Sequence, residues 1–154
     1  MATWSIPMLP ASAGALLRDA DGGILLLAPT YKTGWTVPGG IMEADESPWD
    51  GCRREVLEET GLVVEQGRLA CVDTRPARRG PLGLRFLFDC GTLDDDQVAS
   101  IVVQPSEVRR YQFAPPERAL QLLRPAVSRR VAAALGSPIC VYLEDGMPVA
   151  GVSD

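Results

Sequence analysis

Residues 40–62 read Gly40-Ile41-Met42-Glu43-Ala44-Asp45-Glu46-Ser47-Pro48-Trp49-Asp50-Gly51-Cys52-Arg53-Arg54-Glu55-Val56-Leu57-Glu58-Glu59-Thr60-Gly61-Leu62. The stretch predicts a helix with marked ends. Ser47 suits the N-cap, Pro48 the first helical position, and Asp50 stands three residues after Ser47 as in a capping box. Gly61 follows the last turn, where a left-handed residue commonly ends a helix. Counting about 100° per residue from Trp49, Glu58, Glu55 and Glu59 fall near about 180°, 240° and 280°. Cys52, Val56, Trp49 and Leu57 fill the arc from about 300° round to 80°, which is the expected buried face. The three glutamates therefore border the core as one cluster.

Such a cluster costs stability. Like charges three or four residues apart each destabilise a helix by roughly 0.2–0.5 kcal/mol, and only Arg54 is spaced to offset Glu58. Hard divalent cations take oxygen ligands and combine one or two carboxylates with substrate phosphates. On the helix alone, a metal site and an acidic solvated surface account equally well for the pattern.

The rest of the chain narrows the chemistry. At 154 residues and 46% hydrophobic it suits one domain spanning 1–154, with residues 1–10 as an arm outside the fold. A net charge of −5 argues against binding duplex nucleic acid or an anionic membrane, both of which need a basic footprint. No run of eighteen apolar residues and no basic leader is present, and the four cysteines are scattered without a CxxC pair. A reduced, cytoplasmic setting is expected. The chain contains no histidine. That removes the commonest general base, the commonest zinc ligand and every Ser-His or Cys-His nucleophile. Acid–base chemistry would have to come from carboxylates, lysine, tyrosine or water on a metal.

The predicted elements are mixed without a regular βαβ alternation, which indicates an α+β sandwich. Residues 12–29 read as a hairpin around the turn Asp19–Gly23. Trp35-Thr36-Val37 runs into Pro38-Gly39-Gly40, a sharp turn whose glycines allow close backbone approach; alone, it is only a turn. Strands are expected at residues 62–64, 69–72, 84–90 and 101–103, with Leu84, Phe86, Phe88 and Cys90 on one face. Asp94-Asp95-Asp96 reads as a solvated turn. Glu107 to Phe113 leads into a helix starting at Pro115-Pro116, a third helix runs from Pro125 to Leu135, and a terminal hairpin turns at Asp145-Gly146.

Gly40, five residues, Glu46, seven residues, Arg54-Glu55-Val56, one residue, Glu58-Glu59, one residue, Gly61-Leu62 matches every fixed position of the Nudix box. The chain thus resembles a Nudix hydrolase of the MutT-like kind. The motif covers 23 residues, and the preceding hairpin and the order of elements after it are similar to the family's layout. The resemblance implies an α/β/α sandwich with a mixed sheet. It also implies hydrolysis of a nucleoside diphosphate linked to another moiety, with Mg²⁺ or Mn²⁺ as cofactor. Glu58 and Glu59 would hold the metal, helped by Glu55 and the Gly39 carbonyl. Glu55 would also be the base, or a loop carboxylate would take that part. Arg54 would orient the glutamates, paired with Glu46, while Gly40 and Gly61 shape the box. Glu107 is the candidate for a further metal ligand.

Arg75, Arg78, Arg79 and Arg85 are candidates for gripping substrate phosphates, and Trp35 or Tyr31 for stacking on a base. Pro76 stands near where some ADP-ribose-hydrolysing members carry a proline. Members of the family are often homodimers, and the terminal hairpin would pair across such an interface. Two other branches share the fold. A non-catalytic nucleotide or nucleotide-sugar sensor would commonly have lost box glutamates, which are intact here. An isoprenoid isomerase needs metal-binding histidines, which are missing.

Overall fold

The structure, a computed structural model, describes residues 5–76 and 80–152. Met1–Trp4 of the expected arm, together with Arg78 and Arg79, lie outside the described residues. Among the described residues, eight strands and four helices follow in the order β1 Ala11–Arg18, β2 Ile24–Pro29, β3 Gly39–Ile41, α1 Pro48–Thr60, β4 Arg68–Arg75, β5 Gly83–Thr92, α2 Asp95–Ala99, β6 Val108–Ala114, α3 Pro116–Leu122, α4 Pro125–Gly136, β7 Val141–Glu144 and β8 Met147–Pro148. The sheet order is β6-β2-β1-β5-β4-β7-β8, and β3 pairs with β1 off that path. β1 is parallel to β5 and β4 to β7, whereas the remaining pairs are antiparallel, so the sheet is mixed.

The layers follow from strand periodicity. Every residue of β2 is buried. Ile24 and Leu26 face one core, shared with Ala119 of α3 and Val127, Val131 and Ala134 of α4. Leu25 and Leu27 face the other, shared with Cys52 and Val56 of α1. A strand covered on both faces reads as an unbroken apolar run, which Ile24–Leu27 is. The arrangement is the expected α/β/α sandwich. Phe86, Phe88 and Cys90 share one face as expected, here the α1 side, although Leu84 does not join that core, and Trp49 packs on Phe88 at 5.1 Å between centroids. Leu87 lies on the opposite face.

Several expectations are corrected. Residues 62–64 and 101–103 are not strands. They alternate as strands do, Leu62, Val64 and Ile101 being buried while Val63 and Val102 are exposed. Neither joins the sheet: Val102 N–H donates to the Thr60 carbonyl and Leu62 N–H to the Thr60 hydroxyl at the end of α1, while Ile101 N–H donates to the Val98 carbonyl. Alternation reports one buried side, not a ladder partner. Asp94 is the N-cap of α2 with a complete capping box to Gln97, so Asp94–Asp96 start a helix. Residues 108–114 form β6, an edge strand beside β2. Leu57 is 51% exposed. The buried arc of α1 is centred on Cys52 and Val56 and is flanked by Glu59 and Thr60, and Leu57 lies well to one side of it. The terminal hairpin forms as expected, with positive φ at Asp145 and Gly146 as a type I′ turn requires.

Candidate active site

Both ends of α1 carry the predicted caps, but the expected capping box between Ser47 and Asp50 does not close. The Ser47 hydroxyl accepts from the Asp50 N–H, and Gly61 ends the helix at φ 74° with its N–H on the Leu57 carbonyl. The Asp50 carboxylate accepts from the Ser47 hydroxyl. An aspartate is one methylene shorter than the glutamate of a capping box, which suits it to this nearer donor. The helix packs against β1 and β3, which brings its glutamates to Gly39-Gly40.

Close approach there depends on glycine. A Cβ on Gly40 would stand 2.5 Å from the Glu55 carboxyl carbon, and one on Gly39 would stand 2.5 Å from the Ala13 carbonyl oxygen. The Gly39 N–H donates to Glu59 Oε1 at 2.7 Å. Glu59 is 4% exposed. Burial pushes its carboxyl up to about 8; the Gly39 N–H opposes that, while Glu55, Glu107 and Glu58 add to it. Glu55 is also raised, chiefly by burial, against the pull of Arg54.

Arg54 ties the cluster together. Its Nε and Nη2 reach both oxygens of Glu46 at 2.9 and 2.6 Å. Nη1 donates to Glu55 Oε1 at 2.9 Å and to Glu58 Oε2 at 3.0 Å, and Nη2 also reaches the Ile41 carbonyl. This fork holds Glu46 down to about 2. The expected Arg54–Glu46 pair is therefore present, and one guanidinium sets the rotamers of three glutamates. Glu107 stands just before β6. Its carbonyl accepts from Thr30, and its charge acts on both Glu55 and Glu59. It belongs to the same acidic field.

Among the described residues, no three such side chains already form a finished cation cage. Glu55 Oε1 and Glu58 Oε2 are engaged by Arg54, and Glu59 Oε1 by Gly39. Each glutamate keeps a second oxygen outside these bonds. An all-oxygen donor set with one carboxylate buried and short of positive charge fits a hard divalent cation.

A cavity of about 810 Å³ opens beside this cluster, bounded by Gly39 and Gly40 and running between the sheet and the start of α4. Arg75 and Arg85, the candidates for gripping phosphates, line it, and so does Tyr31. Trp35 does not. It packs on the α3–α4 core with Arg110 stacked 5.1 Å from its ring, and lines a separate cavity of about 480 Å³. Lys32, Arg124 and Arg130 also line the larger cavity but were not among the expected site residues. Residues so far apart in the chain carry no shared spacing from which to find them.

Residues 8–135 match the family model described as the NUDIX domain. A "MutT-like protein" of Streptomyces ambofaciens is 40% identical over 74 residues, covering 48% of this chain and 47% of that protein. An "RNA pyrophosphohydrolase" of Xanthomonas campestris pv. campestris (strain B100) is 36% identical over 58 residues, 38% of this chain and 28% of that protein. The matches thus span about half the length of these relatives or less. The crystal structure of a MutT protein from Methanosarcina mazei Go1 superposes with a TM-score of 0.72 at 26% identity, covering 86% of this chain and 97% of that one. With the box, its geometry and the sandwich all in agreement with that match, the chain belongs to the Nudix family.

Proposed function

We propose that the protein is a divalent-cation-dependent hydrolase that cleaves the phosphoanhydride bond of a nucleoside diphosphate linked to another moiety. The observation that carries this reading is the convergence of Glu55 and Glu59 on Gly39-Gly40 at the mouth of the large cavity. The relatives named as a MutT-like protein and an RNA pyrophosphohydrolase support it.

Glu55, Glu58 and Glu59 would hold Mg²⁺ or Mn²⁺, with the Gly39 carbonyl and Glu107 as further oxygen donors. When bound there, the ion supplies neutralisation of the diphosphate and a lowered pKa for the attacking water. Glu55 takes the proton from water, in a chain without histidine to do so. The water oxygen attacks phosphorus in line, and the P–O bond to the leaving phosphate breaks. Arg54 keeps Glu55 and Glu58 in place, and Glu46 keeps Arg54 in place. Arg75 and Arg85 meet the substrate's phosphates from the cavity side.

The test is a hydrolysis screen over nucleoside triphosphates, dinucleoside polyphosphates, nucleotide sugars, ADP-ribose and NADH. At least one should be cleaved with Mg²⁺, lose turnover in EDTA and regain it on adding Mg²⁺. Glu58→Gln and Glu59→Gln should each remove most of the rate. Turnover unchanged by both substitutions, or tight nucleotide binding without any turnover, overturns the hydrolase.

A further inference from the structure

Five cationic side chains line the larger cavity: Lys32, Arg75, Arg85, Arg124 and Arg130. They come from the segment after β2, from β4, β5, the α3–α4 junction and α4. In a chain of net charge −5, whose one lysine is among them, this is a local reversal of sign. Asp73 is the carboxylate that answers it. Its Oδ1 accepts from the Gly146 N–H at 2.8 Å, and its Oδ2 lies 3.1 Å from Arg130 Nε. Asp145, also on the wall, is engaged by Arg129.

Three of the five cations are not balanced by an ion pair from within. Among the described residues, Lys32, Arg85 and Arg124 form no ion pair with a carboxylate, although Asp73 acts on Arg85 at longer range, and both Arg124 Nε and Arg130 Nε are buried without a hydrogen bond. The cations also repel one another. Burial holds the Lys32 amine below its ordinary value, and Arg124, Arg85 and Arg75 push it further down. Arg85 is lowered by burial and then by Arg75, with Asp73 opposing both. Holding like charges together in a half-enclosed space is costly unless an anion completes it. The start of α4 adds to the demand. Pro125, Ala126 and Val127 line the same wall, and Arg124 at the N-cap makes no side-chain bond to the helix.

The basic cavity and the acidic cluster are neighbours. Gly40 lines the cavity and abuts Glu55. Tyr31 also lines it and lies within the fields of Glu59 and Glu55 as well as that of Arg124. A phosphate chain lying across Gly39-Gly40 would pass from carboxylates to cations.

We propose that the cavity is a subsite for a phosphate beyond the two that flank the cleaved bond, gripped by Lys32, Arg85 and Arg124 above an Arg130 fixed by Asp73. The preferred substrate is then a nucleotide with three or more phosphates in its chain, because a neutral sugar would leave these cations without a counter-charge. The position of the cleaved bond rests on the hydrolase reading; the cavity's affinity for phosphate does not.

Two measurements separate the two ideas. In EDTA, calorimetry with inorganic tripolyphosphate should show one site. Its affinity should fall about tenfold or more in Arg124→Gln and in Arg85→Gln, and be retained in Glu58→Gln. With Mg²⁺, kcat/KM should favour a nucleoside triphosphate or a dinucleoside tetraphosphate over ADP-ribose and a nucleotide sugar by about tenfold or more. Whichever of the first two leads identifies the source of the extra phosphate. Arg124→Gln should lose about tenfold on that substrate and less than about twofold on the neutral-sugar nucleotides, a contrast that a merely unfolded variant cannot give. No tripolyphosphate binding, binding indifferent to both arginine substitutions, or equal losses on all nucleotides overturns the subsite. Turnover that favours neutral-sugar nucleotides, without tripolyphosphate binding, would overturn the subsite and leave the hydrolase standing. Arginine-dependent tripolyphosphate binding without turnover of any nucleotide would do the reverse.

Discussion

Arg54 on α1 and Arg124 just before α4 stand on opposite sides of the sheet, and they are satisfied to opposite degrees. Arg54 spends its fork on both oxygens of Glu46, one of Glu55, one of Glu58 and the Ile41 carbonyl. Arg124 keeps a buried Nε without a partner among the described residues. A saturated guanidinium has nothing left to offer a ligand, so Arg54 can only be support. Its value is the geometry it imposes on carboxylates that would otherwise repel. An unsaturated one beside like charges has lost hydration without gaining a partner, and what it lacks is an anion. The same residue type therefore builds the frame on one side and the receptor on the other.

Gly40 is where the two regions touch, so changing it should break the comparison most severely. In Gly40→Ala the new methyl would lie 2.5 Å from the Glu55 carboxyl carbon. Overpacking of this kind costs about 1–3 kcal/mol, and a displacement of about 1 Å at a reacting group can cost about 10²-fold in rate. The expected result is a folded protein whose kcat falls about 10²-fold on the best nucleotide of the screen, while tripolyphosphate binding in EDTA changes little. Steady-state kinetics and calorimetry on one preparation would check it. An unchanged kcat would show that Glu55 does not need the space Gly40 leaves.

The two regions also differ in how far the sequence reveals them. Everything that makes α1 an acidic edge is local: the Ser47 cap, the Gly61 stop, and glutamates spaced so that one helix face collects them. A helix wheel reaches that far, and it misplaced only Leu57, whose angle sits beyond the true buried arc. The cavity has no such shorthand. Asp73 and Arg130 meet only because β4 and α4 pack against each other across the sheet, and Lys32 joins them from a third segment. Periodicity fails for a related reason at residues 62–64 and 101–103. Their one-sided burial imitates strands, but the Leu62 and Val102 amides bond to Thr60 at the end of α1, and neither segment joins the sheet. β6 was hidden by the reverse effect, since its arginines and Tyr111 lie on an edge strand where polar residues are tolerated.

A smaller effect is expected from Arg54→Lys. Lysine keeps the charge but cannot span Glu46, Glu55 and Glu58 with one planar group. Losing a partner that orients metal-binding carboxylates typically costs about 10–100-fold in metal affinity or activity. Activity should fall by about that factor, and more Mg²⁺ should be needed for half-maximal rate. The matching Arg124→Lys retains the charge that an anion subsite asks for and should cost less. Equal losses from the two exchanges would erase the distinction between frame and receptor.

The smallest effect tests the comparison with a pair that serves neither purpose. Arg18 meets both oxygens of Asp89 at 2.8 and 2.9 Å, with the Gly91 N–H as a further donor and Arg68 at 3.7 Å, a cluster away from both regions. The Arg18 hydrogen bonds hold the Asp89 carboxyl below its ordinary range against the opposing effect of burial. A carboxyl whose pKa is lower folded than unfolded stabilises the fold above its unfolded value of about 3.9, and that contribution is lost as pH falls through the folded value. Asp89→Asn removes the charge at every pH. At pH 7 it should cost about 1 kcal/mol, a melting point lower by roughly 2–4 °C, with activity essentially unchanged. Melting curves at pH 7, 5, 4 and 3 should begin to converge for the two proteins below about pH 4, where the unfolded carboxyl takes up its proton, and the gap closes once pH falls below the lower folded value. Curves that stay parallel down to pH 3 would mean that Asp89 contributes by shape and not by charge, and a matching loss of activity would mean that the pair is coupled to the site after all.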